Sequence, residues 1–152
     1  MKNQINKNGN KVGYWEYYHY NGKLQNKGNY ENGKRVGYWE DYHPNGQLSS
    51  KGNYEYSKRV GYWESYHPNG KLWIKGNYDL NRKQVGYWEY YYCNGQLDGK
   101  GKFEDGEEMG YWEWYHDNGK LSAKGNYENG KRVGYWEYYN SDDQLLYKKY
   151  YI

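Results

Sequence analysis

Gly37-Tyr38-Trp39-Glu40 is one of six copies of a tetrapeptide, the others beginning at Gly13, Gly61, Gly86, Gly110 and Gly134. Successive glycines lie 24, 24, 25, 24 and 24 residues apart. A fixed period of this size marks a repeat architecture, in which each unit stacks on its neighbours because it cannot bury its apolar face alone. Outward from the tetrapeptide, a unit reads Gly-Tyr-Trp-Glu-x-Tyr-x-x, then Asn-Gly, then x-Leu-x-x-Lys-Gly-Asn-Tyr, then a second turn.

Asn-Gly between alternating runs is the strongest short-range hairpin signal, and it predicts a two-residue type I′ turn with positive φ at both positions. It occurs at Asn21-Gly22, Asn45-Gly46, Asn69-Gly70, Asn94-Gly95 and Asn118-Gly119, with Asp142-Asp143 in the sixth unit. Such a turn sets Glu16 opposite Lys27, Trp15 opposite Gly28, and Tyr30 opposite Gly13. The same register pairs Glu40 with Lys51, Glu64 with Lys75, Glu89 with Lys100, Glu113 with Lys124, and Glu137 with Lys148. Alternation puts Trp15, Tyr17, Leu24 and Tyr30 on one face, with Gly13 and Gly28 making room for rings. Tyr14, Glu16, Tyr18 and Lys27 take the other face, open to water or a partner. Pairs on the Trp face compensate in size, as Tyr90 with Gly99 and Trp114 with Ala123, which indicates packing.

The second turn is less uniform: Asn32-Gly33 and Asn129-Gly130 are regular, while Tyr56-Ser57 and Asp105-Gly106 depart. The one extra residue falls in Asp79-Leu80-Asn81-Arg82-Lys83, an exposed loop by this reading. The expected fold is all-β: an elongated antiparallel β-meander of about six 24-residue β-hairpin repeats, a single curled sheet of about twelve strands. Residues 1–10 precede the array, residues 11–152 form it, and residues 141–152 are a degenerate cap on its last edge.

Composition agrees with a folded array. Of 152 residues, 25 are Tyr, 8 Trp and 21 Gly, and aromatics make up 22%, against the aromatic poverty of disordered chains. The net charge of +3, from 22 basic and 19 acidic residues, is too balanced for a dedicated binder of nucleic acid or anionic membrane. One cysteine, Cys93, excludes a disulfide framework and a cysteine-rich zinc site. The first residues carry no apolar signal region, which makes a cytoplasmic location the expectation.

Units such as residues 28–48, and again from 125, resemble the MORN repeat, and more closely its bacterial variant, found in proteins often described as the antitoxin component of a toxin/antitoxin module. The resemblance runs from about Lys7 to Tyr151 and implies successive β-hairpins. It implies no catalytic residues; it implies membrane attachment, dimerisation, scaffolding or toxin neutralisation.

No residue pattern argues for chemistry. His19, His43, His67 and His116 share one column, but equivalent positions lie about 9.6 Å apart, two strands at ~4.8 Å, whereas zinc holds each His nitrogen at ~2.0 to 2.1 Å. They read as solvated turn-flanking histidines, and no metal or cofactor is implied. No nucleotide-binding glycine motif or nucleophile elbow occurs, so the chain reads as a non-enzyme. Lys34-Arg35, Lys58-Arg59, Arg82-Lys83 and Lys131-Arg132 read as a solvated edge or as a strip for an acidic partner. Trp73 falls on the open face opposite Tyr66, where it either packs locally or anchors a partner.

The sequence therefore predicts a protein-protein interaction module that binds and blocks a partner protein, a toxin or an effector enzyme such as a nuclease. The expected partner-binding residues are Trp73, Tyr66, Tyr62, Glu64, Lys75, Arg82 and Lys83. Carbohydrate or cell-wall binding through the aromatic repeats is one alternative, and attachment to anionic membrane or nucleic acid through the basic edge is another. A homodimer is a further alternative partner.

Overall fold

The computed structural model describes residues 2–152, which form thirteen strands and no helix. In chain order these are β1 (Gln4–Ile5), β2 (Lys11–Tyr18), β3 (Leu24–Glu31), β4 (Lys34–Tyr42), β5 (Leu48–Glu55), β6 (Lys58–Tyr66) and β7 (Leu72–Tyr78), followed by β8 (Gln84–Tyr91), β9 (Leu97–Glu104), β10 (Glu107–Tyr115), β11 (Leu121–Glu128), β12 (Lys131–Tyr139) and β13 (Leu145–Tyr151). The thirteenth strand, beyond the twelve expected, is β1, which pairs with β2 through Gln4 and Ile5. Two compact units divide the chain. The first runs to Leu72 and includes Tyr78–Arg82; the second comprises Trp73–Asn77 and Lys83–Ile152. Within each, strands adjacent in sequence are adjacent in an antiparallel ladder, β1 to β6 in the first and β8 to β13 in the second.

The turns reverse the sequence expectation. At Asn21-Gly22 the His19 N–H donates to the Lys23 carbonyl at 2.8 Å and the Gly22 N–H to the His19 carbonyl at 2.9 Å. Only Gly22 has positive φ, at 80°. This is a three-residue loop, a type I turn closed by a left-handed glycine, rather than a type I′ turn. Pro44 and Pro68 occupy the second position of equivalent turns, where their fixed φ suits type I. The type I′ pairs lie at the second turn, with positive φ at Asn32 and Gly33, Tyr56 and Ser57, Asp105 and Gly106, and Asn129 and Gly130. The expected register holds from Gly13↔Tyr30 to Tyr17↔Asn26, then slips by one residue to Tyr18↔Leu24 to accommodate the loop.

The tetrapeptide glycines also differ from expectation. A Cβ on Gly37 would meet nothing within 4 Å, so it makes room for no ring. Its φ of 64° is what requires glycine. Between Asn29↔Val36 and Lys27↔Glu40, β4 advances four residues while β3 advances two, and this bulge turns the Trp39 ring onto the sheet.

The core is the tryptophan column: Trp39, Trp63, Trp88, Trp112 and Trp136 are fully buried, and Trp15 nearly so. Gly28 faces Trp15 in register, yet the ring lying on it is Trp39 of the next hairpin, 2.2 Å from where a Cβ would stand. Gly52 receives Trp63 likewise, and in the second unit Gly76, Gly101 and Gly125 receive Trp88, Trp112 and Trp136. The Trp39 indole N–H donates to the Asn29 carbonyl at 3.1 Å, and Trp63, Trp112 and Trp136 repeat the bond. Tyr30 and Tyr54 meet Trp39 and Trp63 edge-on at 5.0 Å. Each buried ring contributes roughly 1.5 to 3 kcal/mol, so the column stitches hairpin to hairpin. The size compensation holds: Tyr90 pairs with Gly99, Trp114 with Ala123, and Gly99 leaves space for the Trp114 ring.

Candidate functional site

Two surfaces present side chains that could meet a partner. On the open face, Glu16, Glu40, Glu89, Glu113 and Glu137 stand opposite Lys27, Lys51, Lys100, Lys124 and Lys148 as expected, but the ion pairs mostly run to the next hairpin. Lys27 bonds Glu40 at 2.6 Å, Lys51 bonds Glu64 at 2.7 Å, Lys75 bonds Glu89, Lys100 bonds Glu113 at 2.9 Å, and Lys124 bonds Glu137 at 3.1 Å. Lys148 with Glu137, at 2.6 Å, pairs instead within its own hairpin. The leading segment starts the series, with Lys2 on Glu16. Each Glu also accepts a hydrogen bond from the tyrosine two residues on: Tyr42 to Glu40 and Tyr66 to Glu64 at 2.5 Å, Tyr91 to Glu89 at 2.7 Å. The lysine ammonium sits over that same ring, 5.6 Å from its centre in the Lys27–Tyr42 and Lys51–Tyr66 pairs.

The electrostatics follow from these contacts. Burial opposes ionisation of Glu40, Glu64, Glu89 and Glu113, but hydrogen bonds from the lysine and tyrosine outweigh it and hold each pKa below the usual carboxylate value. Hydrogen bonds from Lys148, Tyr139 and Lys124 bring Glu137 down to about 2. Lys27, Lys51 and Lys75 are raised, mainly by the hydrogen bond to the partner Glu.

The predicted partner-binding residues divide between the units. In the first, Glu64 and Tyr66 belong to the Lys51–Glu64–Tyr66 cluster, Tyr62 donates to Glu64 at 3.0 Å and is 49% exposed, and Arg82 is exposed in the loop after β7. In the second, Lys75 is bound to Glu89, Lys83 lies 3.6 Å from Asp105, and Trp73 is 52% exposed. Tyr14, Tyr38 and Tyr62 in the first unit and Tyr87, Tyr111 and Tyr135 in the second are all exposed. Around Tyr87 and Tyr111, with Glu89, Lys100 and Glu113, the open face of the second unit has a hollow of about 320 Å³.

The Trp face carries a layer that the sequence reading placed elsewhere. Arg35 and Arg59 are not solvated edge residues: their guanidinium carbons stand 4.2 Å from the ring centres of Trp39 and Trp63. Arg132 does the same over Trp136 at 4.6 Å, and Lys11 lies 5.1 Å from Trp15. Parity alone did not give this placement, because the bulge at Gly37, with φ of 64°, lies between Arg35 and Trp39. In the first unit this layer borders a groove of about 530 Å³ lined by Lys11, Tyr30, Arg35, Tyr54 and Ser57. A second cleft of about 270 Å³ shares Tyr54 and Ser57 and adds Arg59, Tyr78 and Arg82.

The histidine column is structural. His19 Nε2 lies 2.9 Å from the Tyr42 carbonyl, His43 Nε2 2.9 Å from that of Tyr66, and His116 Nε2 3.0 Å from that of Tyr139. A carbonyl only accepts, so Nε2 carries the proton and these side chains tie turn to turn rather than facing solvent. Asn21, Asn45, Asn94 and Asn118 add side-chain bonds to the carbonyl 23 residues on. Among the described residues no group of three or more His, Cys, Asp or Glu is placed to hold a metal ion, and no helix is long and apolar enough to cross a membrane.

A model of the MORN repeat variant matches residues 11–32, 35–56, 59–80 and 110–129, more than half of the sequence. The chain belongs to the MORN repeat variant family. The matched segments contain the buried Trp39, Trp63 and Trp112 and the glycines beneath the first two. MORN repeats are generally modules for protein or membrane interaction, and the family is typically non-enzymatic. No curated protein matches the chain.

Proposed function

We propose that this MORN-variant chain is a non-enzymatic module that binds a partner protein and blocks it sterically, in the manner of an antitoxin or of an inhibitor of a conflict-system nuclease. The observation that carries the reading is the exposed tyrosine at the tetrapeptide of each repeat, Tyr14, Tyr38 and Tyr62 in the first unit and Tyr87, Tyr111 and Tyr135 in the second, beside Lys–Glu–Tyr clusters that hold the surrounding surface in place. Tyrosine offers a large amphipathic contact with few rotatable bonds, and aromatic residues and Arg are enriched in interface cores. Trp73 with Lys75 and Lys83, and Tyr62 with Glu64, Tyr66 and Arg82, are the proposed contact residues. Glu64, Tyr66 and Lys75 act through the ladder, while Tyr62 and Trp73 present their rings.

Affinity capture from host lysate with wild type, Trp73→Ala and Tyr62→Ala, followed by titration of the purified partner, tests this. One stoichiometric protein, held by wild type and bound at least tenfold more weakly by either variant, is the expected result. Equal affinity for both variants would remove these residues from the site. If no protein is retained, the blocking role fails.

A further inference from the structure

The basic side chains of the first unit's Trp face stand in a row. Lys11, Arg35 and Arg59 come from β2, β4 and β6, alternate strands, so successive cations are about 9.6 Å apart at ~4.8 Å per strand. Arg82 continues the row at the cleft it shares with Arg59. Between them lie hydroxyls of Tyr30, Tyr54 and Ser57, which line the same two clefts. The guanidinium carbons of Arg35 and Arg59 stand 4.2 Å from the indole centres, and both side chains line the groove. Asp41, 3.6 Å from Arg35, is the one carboxylate in salt-bridge range of the three arginines among the described residues. At the position of Asp41 in the next hairpin stands Ser65.

Two of the lining residues are also in conformations that their side chains disfavour. Ser57 has φ of 64° and Arg82 of 71°, the left-handed region where glycine or asparagine costs less. The Ser57 hydroxyl accepts from the Arg35 backbone N–H at 2.9 Å, which ties this turn to the neighbouring one; among the described residues no such bond accounts for Arg82, and both residues line the groove.

We propose that this groove is a binding site for an extended acidic peptide segment, whose carboxylates at every third residue meet Lys11, Arg35, Arg59 and Arg82 in turn. A polyproline II segment has three residues per turn and rises about 3.1 Å per residue, so every third side chain points to the same side at an interval of ~9.3 Å, close to that between the cations. Planar guanidinium forks match carboxylates in bidentate geometry, and the tyrosine and serine hydroxyls serve the peptide backbone between them. A single phosphate would engage one cation of the row and leave the others without a partner. The groove lies on the face opposite Tyr14, Tyr38 and Tyr62 and shares only Arg82 with the proposed blocking surface, so this inference goes beyond the blocking role, and Arg59, which is outside that surface, tests it separately.

The test is fluorescence anisotropy with a labelled twelve-residue peptide carrying Asp at every third position between Ala and Ser. Its comparison is a peptide of the same composition with the four Asp contiguous. Wild-type protein is expected to bind the spaced peptide at least tenfold more tightly than the block peptide. Arg59→Gln and Arg82→Asn are each expected to weaken it at least fivefold. Asn tolerates the left-handed region, so Arg82→Asn keeps the loop, and an unchanged thermal midpoint confirms that the fold is intact. Arg132→Gln removes the same charge from the second unit and is expected to leave affinity unchanged, as is Trp73→Ala. Equal binding of the two peptides, or an equal loss from Arg132→Gln, would overturn the proposal. So would tighter binding of a dT12 oligonucleotide or of phosphatidylserine vesicles than of the spaced peptide.

Discussion

The two units use one repeat but differ in the column above the tryptophans. In the first the column is Lys11, Arg35 and Arg59; in the second it is Gln84, Glu108 and Arg132. Trp112, in the repeat with Glu108, is nevertheless as fully buried as Trp39 beneath Arg35. A cation is therefore not needed to bury the indole. Its neighbours complete the packing instead, with Phe103 edge-on at 5.2 Å and Trp114 stacked at 5.4 Å. What every repeat keeps is scaffold, and what the first unit alone keeps in series, the basic groove, is free to serve recognition.

Removing the ring tests the common part most severely. Trp39→Ala and Trp112→Ala are each expected to cost about 3 to 5 kcal/mol, read by urea unfolding. A much smaller loss at Trp112 would mean that the cation does support the core in the first unit. Filling the space under the ring comes next. A Cβ at Gly52 would stand 2.4 Å from Trp63 and one at Gly101 2.1 Å from Trp112, so Gly52→Ala and Gly101→Ala should each destabilise by about 1 to 3 kcal/mol.

The turns separate the units more finely. Ser57→Gly relieves a left-handed serine but gives up the hydroxyl that accepts from the Arg35 N–H, so its net effect on stability should stay within about 1 kcal/mol, whereas Gly130→Ser at the matching turn should destabilise by about 1 kcal/mol. If Ser57→Gly is stabilising yet weakens the spaced acidic peptide, stability and recognition trade off at that turn. Glu108→Arg, which installs the first unit's cation over Trp112, should add about 0.5 to 1 kcal/mol, measured by the thermal midpoint.

The smallest effects belong to the ladder shared by both units. Glu64→Gln and Glu113→Gln should each cost about 0.2 to 1 kcal/mol at neutral pH. The folded carboxyls ionise more readily than the unfolded ones, so their contribution is fully present above about pH 4.5 and is lost as pH falls through their lower folded values. For Glu137 the loss extends down to about pH 2. Thermal midpoints measured across that window should fall in both units, and the two substitutions should flatten the fall equally.

Much of this was legible in the residues because it is periodic and local. Six tetrapeptides at 24-residue spacing prescribe hairpins, alternation assigns Trp39 and Tyr38 to opposite faces, and the Gly99 and Ala123 pairings follow from register. The site was less legible. Trp73, Tyr62 and the Lys–Glu columns could be placed on the open face from parity. The groove could not be foreseen as such, because a basic pair beside a turn looks the same whether it is solvated or folded onto an indole.

By itself, the sequence determined repeat length, strand content, faces and most of the register, since these depend on patterns with periods of two and 24 residues. Only the tertiary structure decided which hairpin each side chain serves. Lys27 lies between Glu16 and Glu40 at equal sequence merit, and Gly28 faces Trp15 in register while carrying Trp39. The physical reason is the glycine bulge. Its left-handed residue and the extra chain in β4 direct the indole back over the preceding strand, turning isolated hairpins into an interlocked array with a cationic groove along one face of its first unit.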